Sequence, residues 1–456
     1  MFDIAIIGAG PGGYTAADEA ARRGKSVVLF ERNLLGGTCL NRGCVPTKAL
    51  LRSSKTYAEA IGGSEYGIAS SGVQLDFSAM HTRKAKIVTS LRDGLTKLMK
   101  KDKVKLIEGE AQIVSANDAS CTIVCGNMEY EARETVIATG SVPKRIPIPG
   151  IELPGVLTSD DILEGEGKDL SSLIIIGGGV IGVECAEIYA ALGRQVTILE
   201  AMERILPPFD KEIAQRVNMH LKKSNVKIEI AARVAEITQQ DDILCVRYCN
   251  KKGDEQQICA RGVLIATGRT AETTGLFVNN IHAKLEHGAL VCDNDGRSSL
   301  PHVWAIGDVR AGTTQLAHVA MAQARNVIRV ICHEEQLMNE QLIPSCVYTS
   351  PEVASIGITE TEAKERGLLI RTAKVVTGSN AKCLIEGGDS GYLKLISAKD
   401  NGRILGAQLV CPRATDLIGE LTVAIAQDMT AAQLAAVIHP HPTVNELIAE
   451  AALQLI

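Results

Sequence analysis

The chain has 456 residues, more than one hydrophobic core organises, so two to four domains are expected. Its 46% hydrophobic and 22% charged content is that of an ordinary globular protein, and a net charge of −5 with 3% aromatics argues against a nucleic-acid partner. No apolar run reaches bilayer-spanning length and the N-terminus carries no targeting pattern. The thirteen scattered cysteines do not read as a secreted disulfide framework, so a cytoplasmic location is expected.

From Met1 the chain enters a short apolar strand, Ile6-Ile7, closed by Gly8-Ala9-Gly10-Pro11-Gly12-Gly13. A helical stretch follows, then a second strand, Val27-Val28-Leu29-Phe30-Glu31. Apolar runs this short suit buried parallel strands. The first glycine permits a tight turn, the second lets a pyrophosphate approach the backbone, and the third lets helix and strand pack closely. An acid ending the second strand accepts hydrogen bonds from a ribose diol.

Next comes Gly36-Gly37-Thr38-Cys39-Leu40-Asn41-Arg42-Gly43-Cys44-Val45-Pro46-Thr47-Lys48. In a regular helix, Cα atoms five apart lie roughly 8.7 Å from each other, whereas a disulfide spans less than about 7 Å. Cys39 and Cys44 therefore bridge only if the backbone leaves the helix, which Asn41, Gly43 and Pro46 favour. Placed directly after a nucleotide-binding β-α-β pattern, the pair reads as a redox dithiol that exchanges electrons with a bound flavin. The alternative is two buried thiols that never bridge. Further on, Lys100, Lys101 and Lys103 form the densest basic cluster, read as a solvated helix end.

An internal repeat, offset by 169 residues, begins at Ile175-Ile176-Gly177-Gly178-Gly179-Val180-Ile181-Gly182 and continues through a helix to Val196-Thr197-Ile198-Leu199-Glu200. In both copies the last glycine and the acid are 18 positions apart. Val136-Ile137-Ala138-Thr139-Gly140 and Leu264-Ile265-Ala266-Thr267-Gly268 echo each other where each dinucleotide unit should end. Pro143, Pro147, Pro149 and Pro154 mark a linker after the first. Two such units suggest two dinucleotides. The copy beside the cysteines should hold FAD and the second a nicotinamide cofactor. Glu200 would repel a 2′-phosphate, and no arginine pair adjoins it although Arg204 is close, so NAD is expected rather than NADP.

The strand His302-Val303-Trp304-Ala305-Ile306-Gly307-Asp308 ends in an acid with two readings, a flavin ribityl acceptor or a cap for the helix near Ala317 to Val330. From about Ile343 the texture changes. Strands at Val347-Tyr348, Val353–Ile358, Tyr392–Ile396 and Ile404–Leu409 appear, the last two flanking an Asp400-Asn401-Gly402 hairpin turn. Helices near 414–428 and 443–455 follow, giving an α+β unit. Between them, His439-Pro440-His441-Pro442-Thr443-Val444-Asn445-Glu446 places a carboxylate five positions after His441. A histidine oriented by a carboxylate is the proton acceptor that thiol chemistry needs.

The cysteine segment and the His-Pro segment together resemble the pyridine nucleotide-disulfide oxidoreductases, specifically their dihydrolipoamide-oxidising branch, over essentially the whole chain. The resemblance implies an α/β fold with two Rossmann-like dinucleotide-binding domains, for FAD and NAD, plus a C-terminal α+β dimerisation domain. The expected segments are an FAD domain over 1–147, an NAD domain over 148–269, a return to the FAD domain over 270–342 and an interface domain over 343–456. It further implies a homodimer whose site joins the Cys39–Cys44 disulfide to His441 and Glu446 of the partner subunit. Cys39 would exchange with substrate and Cys44 would face the flavin.

Matched by motif, the FAD site takes Gly8, Gly10, Gly13, Glu31, Arg32, Gly37, Thr38, Cys39 and Lys48. Glu110, Ala111, Thr139, Gly140, Ser141, Asp308 and the Gln315-Leu316-Ala317-His318 segment complete it. The NAD site takes Gly177, Gly178, Gly179, Val180, Ile181, Gly182, Glu184, Glu200, Val234 and Gly268, with Glu184 also the partner of Lys48. No metal is expected. The implied activity is oxidation of a dihydrolipoyl dithiol with reduction of NAD. The lipoyl group is expected from another protein, the lipoyl domain of an acyltransferase or a glycine-cleavage H-type protein. Arg42 stands where lipoamide enzymes usually carry a small apolar residue, and Asn445 where serine is common; both bear on partner choice. The rivals are glutathione or mercuric reductases and a non-catalytic flavin redox sensor. Glu200 argues against the first, and the ending Ala451–Ile456, without a further cysteine pair, against the second.

Overall fold

The structure is a computed structural model that describes residues 1–456 except Asn279 and Asp389. Three strands open the first unit, β1 (Phe2–Ile7), β2 (Val27–Glu31) and β3 (Lys105–Glu108), all parallel and ordered β3-β2-β1. A meander, β4 (Ala111–Ala116), β5 (Cys121–Cys125) and β6 (Met128–Ile137), returns antiparallel and brings β6 alongside β1 in parallel. Strand Val303–Ala305 then adds to β6 from far along the chain, closing a seven-stranded sheet. Ile4 and Ile6 point to one face and Ala5 and Ile7 to the other, all buried. This is why the strand reads as a continuous apolar run. Burying each isoleucine contributes about 1.5–3 kcal/mol.

The second copy repeats the topology. Strands Lys227–Ile230, Gln195–Glu200, Ser172–Ile176, Gly262–Ile265 and Val156–Thr158 form a wholly parallel sheet in that order. An antiparallel meander, Arg233–Gln240, Ile243–Cys249 and Glu255–Ala260, packs beside it. A two-stranded ribbon, Ser141–Pro143 with Arg269–Ala271, ties the two crossings together. The third unit is a five-stranded antiparallel sheet containing the Tyr392–Ala398 and Ile404–Cys411 hairpin, covered by helices Ala414–Ala426 and Glu446–Leu453 over their own core. The last helix is shorter than the expected 443–455, because the His-Pro segment runs on to Asn445 without regular structure. No described helix is long and apolar enough to cross a membrane.

Helix α1 (Pro11–Arg22) starts where the first glycine loop ends, and its third glycine is a packing device. A Cβ on Gly13 would overlap the Gly8 carbonyl oxygen, and one on Gly182 would overlap the Gly177 carbonyl oxygen in the same way. Gly13→Ala is accordingly expected to cost about 3 kcal/mol, read as a lower thermal unfolding midpoint.

Candidate active site

The expected break in the redox helix is present at Gly43. Helix α2 (Gly37–Arg42) stops there, and helix α3 (Cys44–Ile61) restarts with Cys44 as its first residue. An added Cβ on Gly43 would lie 2.9 Å from the Thr38 carbonyl oxygen, so a side chain would force the two helices apart. Asn41 locks α2 from the other side, its Nδ2 donating to the Gly37 and Leu35 carbonyls at 2.9 and 3.1 Å.

The break brings Cys39 and Cys44 into contact, but the structure holds both as free thiols rather than as the expected disulfide. A hydrogen bond from the Cys39 thiol favours the thiolate form of Cys44. That hydrogen bond, with the nearby Lys48 ammonium, pulls the Cys44 thiol down to about 7. Cys39, as the donor and partly buried, is pushed up.

Lys48 sits one turn along α3. Leu50 and Leu51 on that helix pack against Val183, Ala186 and neighbours of helix Val180–Ala191 in the second unit. This docking carries Lys48 Nζ to within 2.9 Å of Glu184 Oε2, the expected pairing. Glu184 is almost fully buried and its other oxygen also accepts from the Tyr348 backbone N–H at 3.1 Å. Lys48 further lies 4.4 Å over the Tyr348 ring. The lysine is thus held by both parallel units and by the third.

One cleft of about 1450 Å³ runs through these elements. At one end lie Gly8, Gly10, Glu31, Arg32, Glu110, Ala111, Thr139 and Gly140. At the other lie Gly177, Gly179, Val180, Ile181, Glu200, Val234 and Gly268. Between them are Gly37, Thr38, Cys39, Cys44, Lys48, Glu184, Ser141, Asp308 and the segment from Gln315 to His318. Gly13, Gly178 and Gly182 do not line the cleft; Gly13 and Gly182 act through helix packing, and the Gly178 N–H is spent on Glu200.

The two acids occupy equivalent places. Glu31 accepts from the Ala9 and Asn33 N–H groups, both at 2.8 Å, and Glu200 accepts from Gly178 and Met202 at 2.5 and 2.7 Å. A carboxylate has further lone pairs, so each still has capacity for a ribose diol. A Cβ at Gly10 would meet only Gly37 Cα, at 3.8 Å, and one at Gly179 would meet nothing within 4 Å. Open space at these helix N-termini fits a pyrophosphate. Arg204 is turned away, donating to the Pro207 and Phe209 carbonyls.

Asp308 does not cap the following helix, whose N-cap is Leu316 without a side-chain bond. It accepts instead from Ser141 Oγ at 2.6 Å, and its burial pushes the carboxyl up. Arg269, which sequence reasoning missed, holds this arrangement. It donates to Ser141 Oγ and the Ser141 carbonyl at 2.7 and 2.6 Å and reaches Asp160 at 3.7 Å. Its only advance signal was its place directly after Gly268. Arg42 turns to the same Asp160, at 3.4 Å.

His441 and Glu446 form the expected pair, Nδ1 to Oε1 at 2.8 Å, but neither lines the cleft. The imidazole is 73% exposed at the surface of the third unit. A second departure concerns the cysteines. Cys245 and Cys259, facing each other on adjacent antiparallel strands, are disulfide-bonded with Cα atoms 4.1 Å apart. The sequence reading singled out Cys39 and Cys44 and not these two, because only strand register shows that they are opposite.

Comparison with known proteins agrees with this geometry. Residues 2–324 match the family described as pyridine nucleotide-disulphide oxidoreductase, and residues 343–452 match its dimerisation domain. A dihydrolipoyl dehydrogenase of Geobacillus stearothermophilus is 37% identical over 453 residues, covering 98% of this chain and 94% of the relative. One from Bacillus subtilis (strain 168) is 36% identical over 469 residues, covering 99% and 97%. Among solved structures, the HOCl-induced flavoprotein disulfide reductase RclA of Escherichia coli superposes with a TM-score of 0.87 at 28% identity, covering 99% of both chains. LpdA of Mycobacterium tuberculosis shares the fold over 100% of both chains, with a TM-score of 0.92 at 24% identity. Two glycine-loop units opening into one cleft, a cysteine pair between them and a matching dimerisation domain all lead to one assignment: the chain belongs to the pyridine nucleotide-disulfide oxidoreductase family and is an FAD-dependent disulfide oxidoreductase.

Proposed function

We propose that this enzyme oxidises a protein-bound dihydrolipoyl dithiol to its disulfide and reduces NAD, as a homodimer. The observation that carries this reading is the position of Cys39 and Cys44 in the wall between two dinucleotide cradles, with Lys48 and Glu184 beside them. The names of the relatives, similar along almost their whole length, support lipoamide as the substrate class. The four-segment division at 147, 269 and 342 follows from the same reading, with FAD held by the first unit and the Asp308 segment, and NAD by the second.

Held in these cradles, FAD would supply a two-electron acceptor for the enzyme dithiol and NAD the final hydride acceptor. The chain's own residues do the rest. In the oxidised enzyme a substrate thiolate attacks Cys39 Sγ, the Cys39–Cys44 bond breaks, and Cys44 leaves as a thiolate. The second substrate thiol then attacks the mixed disulfide, releasing the cyclic substrate disulfide and Cys39. His441 Nε2 of the partner subunit takes the substrate proton, while Glu446 fixes the tautomer through Nδ1. Lys48 favours the charged form of Cys44, so the leaving thiolate exists at neutral pH.

The test is steady-state NAD reduction with dihydrolipoamide, set against NADPH-driven reduction of glutathione disulfide. Turnover with dihydrolipoamide and NAD, at least ~10-fold better than with NADP, is expected from Glu200 and the engaged Arg204. Activity with glutathione disulfide alone would sink the lipoyl reading.

A further inference from the structure

The segment that carries His441 is held by a carboxylate outside it. Residues 437–445 have no regular secondary structure, and His441 lies near their middle with an exposed ring. Two side chains anchor this stretch to helix Ala414–Ala426, one on each side of His441. His439 Nε2 meets Glu420 Oε1 at 2.8 Å, and Asn445 Nδ2 donates to Glu420 Oε2 at 2.9 Å. Both oxygens of one carboxylate are thereby used, one for each end of the segment. The His439 side chain is only 6% exposed, and its other ring nitrogen lies 3.1 Å from the Val437 carbonyl oxygen.

On the C-terminal side, Val444 is also buried in the third unit's core, and the remaining polar ties are these. Thr443 N–H donates to Glu446 Oε2 at 2.9 Å, Thr443 Oγ1 to the Pro440 carbonyl at 2.7 Å, and Asn380 Nδ2 to the Thr443 carbonyl at 3.1 Å. None of these holds the N-terminal limb against the helix. The sequence set Asn445 apart as bearing on partner choice; its amide is engaged by Glu420.

We propose that Glu420 is a positioning residue for the reaction, fixing His441 relative to the cysteines through His439 and Asn445. The inference rests on the reading of His441 as the proton acceptor. A general base is effective only within hydrogen-bond reach of its proton, and a misplacement of about 1 Å can cost 100-fold in rate. Without both anchors, the stretch between His439 and Asn445 gains conformational freedom, and the imidazole then spends less time in the productive geometry.

The experiment compares Glu420→Ala, Glu420→Gln and Asn445→Ala in the full-length, FAD-loaded dimer. Two activities are measured: oxidation of dihydrolipoamide by NAD, and oxidation of NADH by ferricyanide, which draws electrons from the flavin and bypasses the thiols. Glu420→Ala should lower kcat for the dithiol reaction roughly 10- to 100-fold while ferricyanide turnover stays within about twofold. Glu420→Gln can accept through only one oxygen and should fall between wild type and alanine, and Asn445→Ala should resemble it. Equal loss of both activities, or release of flavin, would make Glu420 merely structural and overturn the proposal. Wild-type dithiol turnover in Glu420→Ala would overturn it as well. If dihydrolipoamide itself proves inert, the lipoyl reading fails, and the same ratio is measured with dithiothreitol as the dithiol.

Discussion

Replacing Cys44 with serine is expected to lower dithiol-dependent NAD reduction by at least ~1000-fold, since one member of a cooperating nucleophilic set carries nearly the whole effect. NADH oxidation by ferricyanide should survive, because the substitution leaves the glycine loops, Glu31 and Asp308 that line the dinucleotide ends of the cleft unaltered. Parallel loss of both activities would mean that the cysteine pair is structural. The reduced enzyme supplies a finer measurement. Cys44 is pulled down to about 7 by its hydrogen bond from Cys39 and by Lys48. Alkylation of the reduced pair by iodoacetamide should therefore rise with a midpoint near pH 7, being slow below and fast above it. The direction follows because only the thiolate reacts and a lowered value extends the thiolate range downward. Lys48→Met removes the cation, so the midpoint should move up towards an ordinary thiol; a midpoint unchanged by this substitution would show that the lysine does not act on Cys44.

The second large effect concerns subunit sharing. His441 and Glu446 are paired on the surface of the third unit, away from the cleft that holds the cysteines. His441→Gln should lower the dithiol reaction about 100- to 10,000-fold, the range of a positioned general base. Co-expression of Cys44→Ser and His441→Gln chains gives a sharper result. If each site takes its cysteines from one subunit and its histidine from the other, a mixed dimer has one site with both defects and one intact site. Random pairing makes half the dimers mixed, so about a quarter of wild-type activity should return. If each subunit is complete on its own, no activity returns, and the homodimeric site is wrong. Either result is read from one assay on the co-purified mixture.

Much of this arrangement could be read along the chain, because it rests on local rules. The glycine loops, the strand-ending acids and their repeat after 169 residues announced two dinucleotide units, since a tight turn, a close helix and an acid at a strand end each demand a residue type at a fixed spacing. The cysteine spacing announced a broken helix, because a regular one cannot bring Cys39 and Cys44 together. The break falls at Gly43, one of the three residues, with Asn41 and Pro46, that favoured it.

Other features exist only once distant segments meet. The Arg269 contacts with Ser141 and Asp160, the Tyr348 ring beside Lys48 and the use of both Glu420 oxygens join residues from separate elements. The Cys245–Cys259 bridge depends on the register of two antiparallel strands, and a slip of one residue would turn those side chains to opposite faces. Local propensity and spacing specify which residue types an element needs, and these the sequence determined. Packing decides which side chains share a site, because that depends on how separate elements dock, and only the tertiary structure could place Arg42 on Asp160 and Asn445 on Glu420.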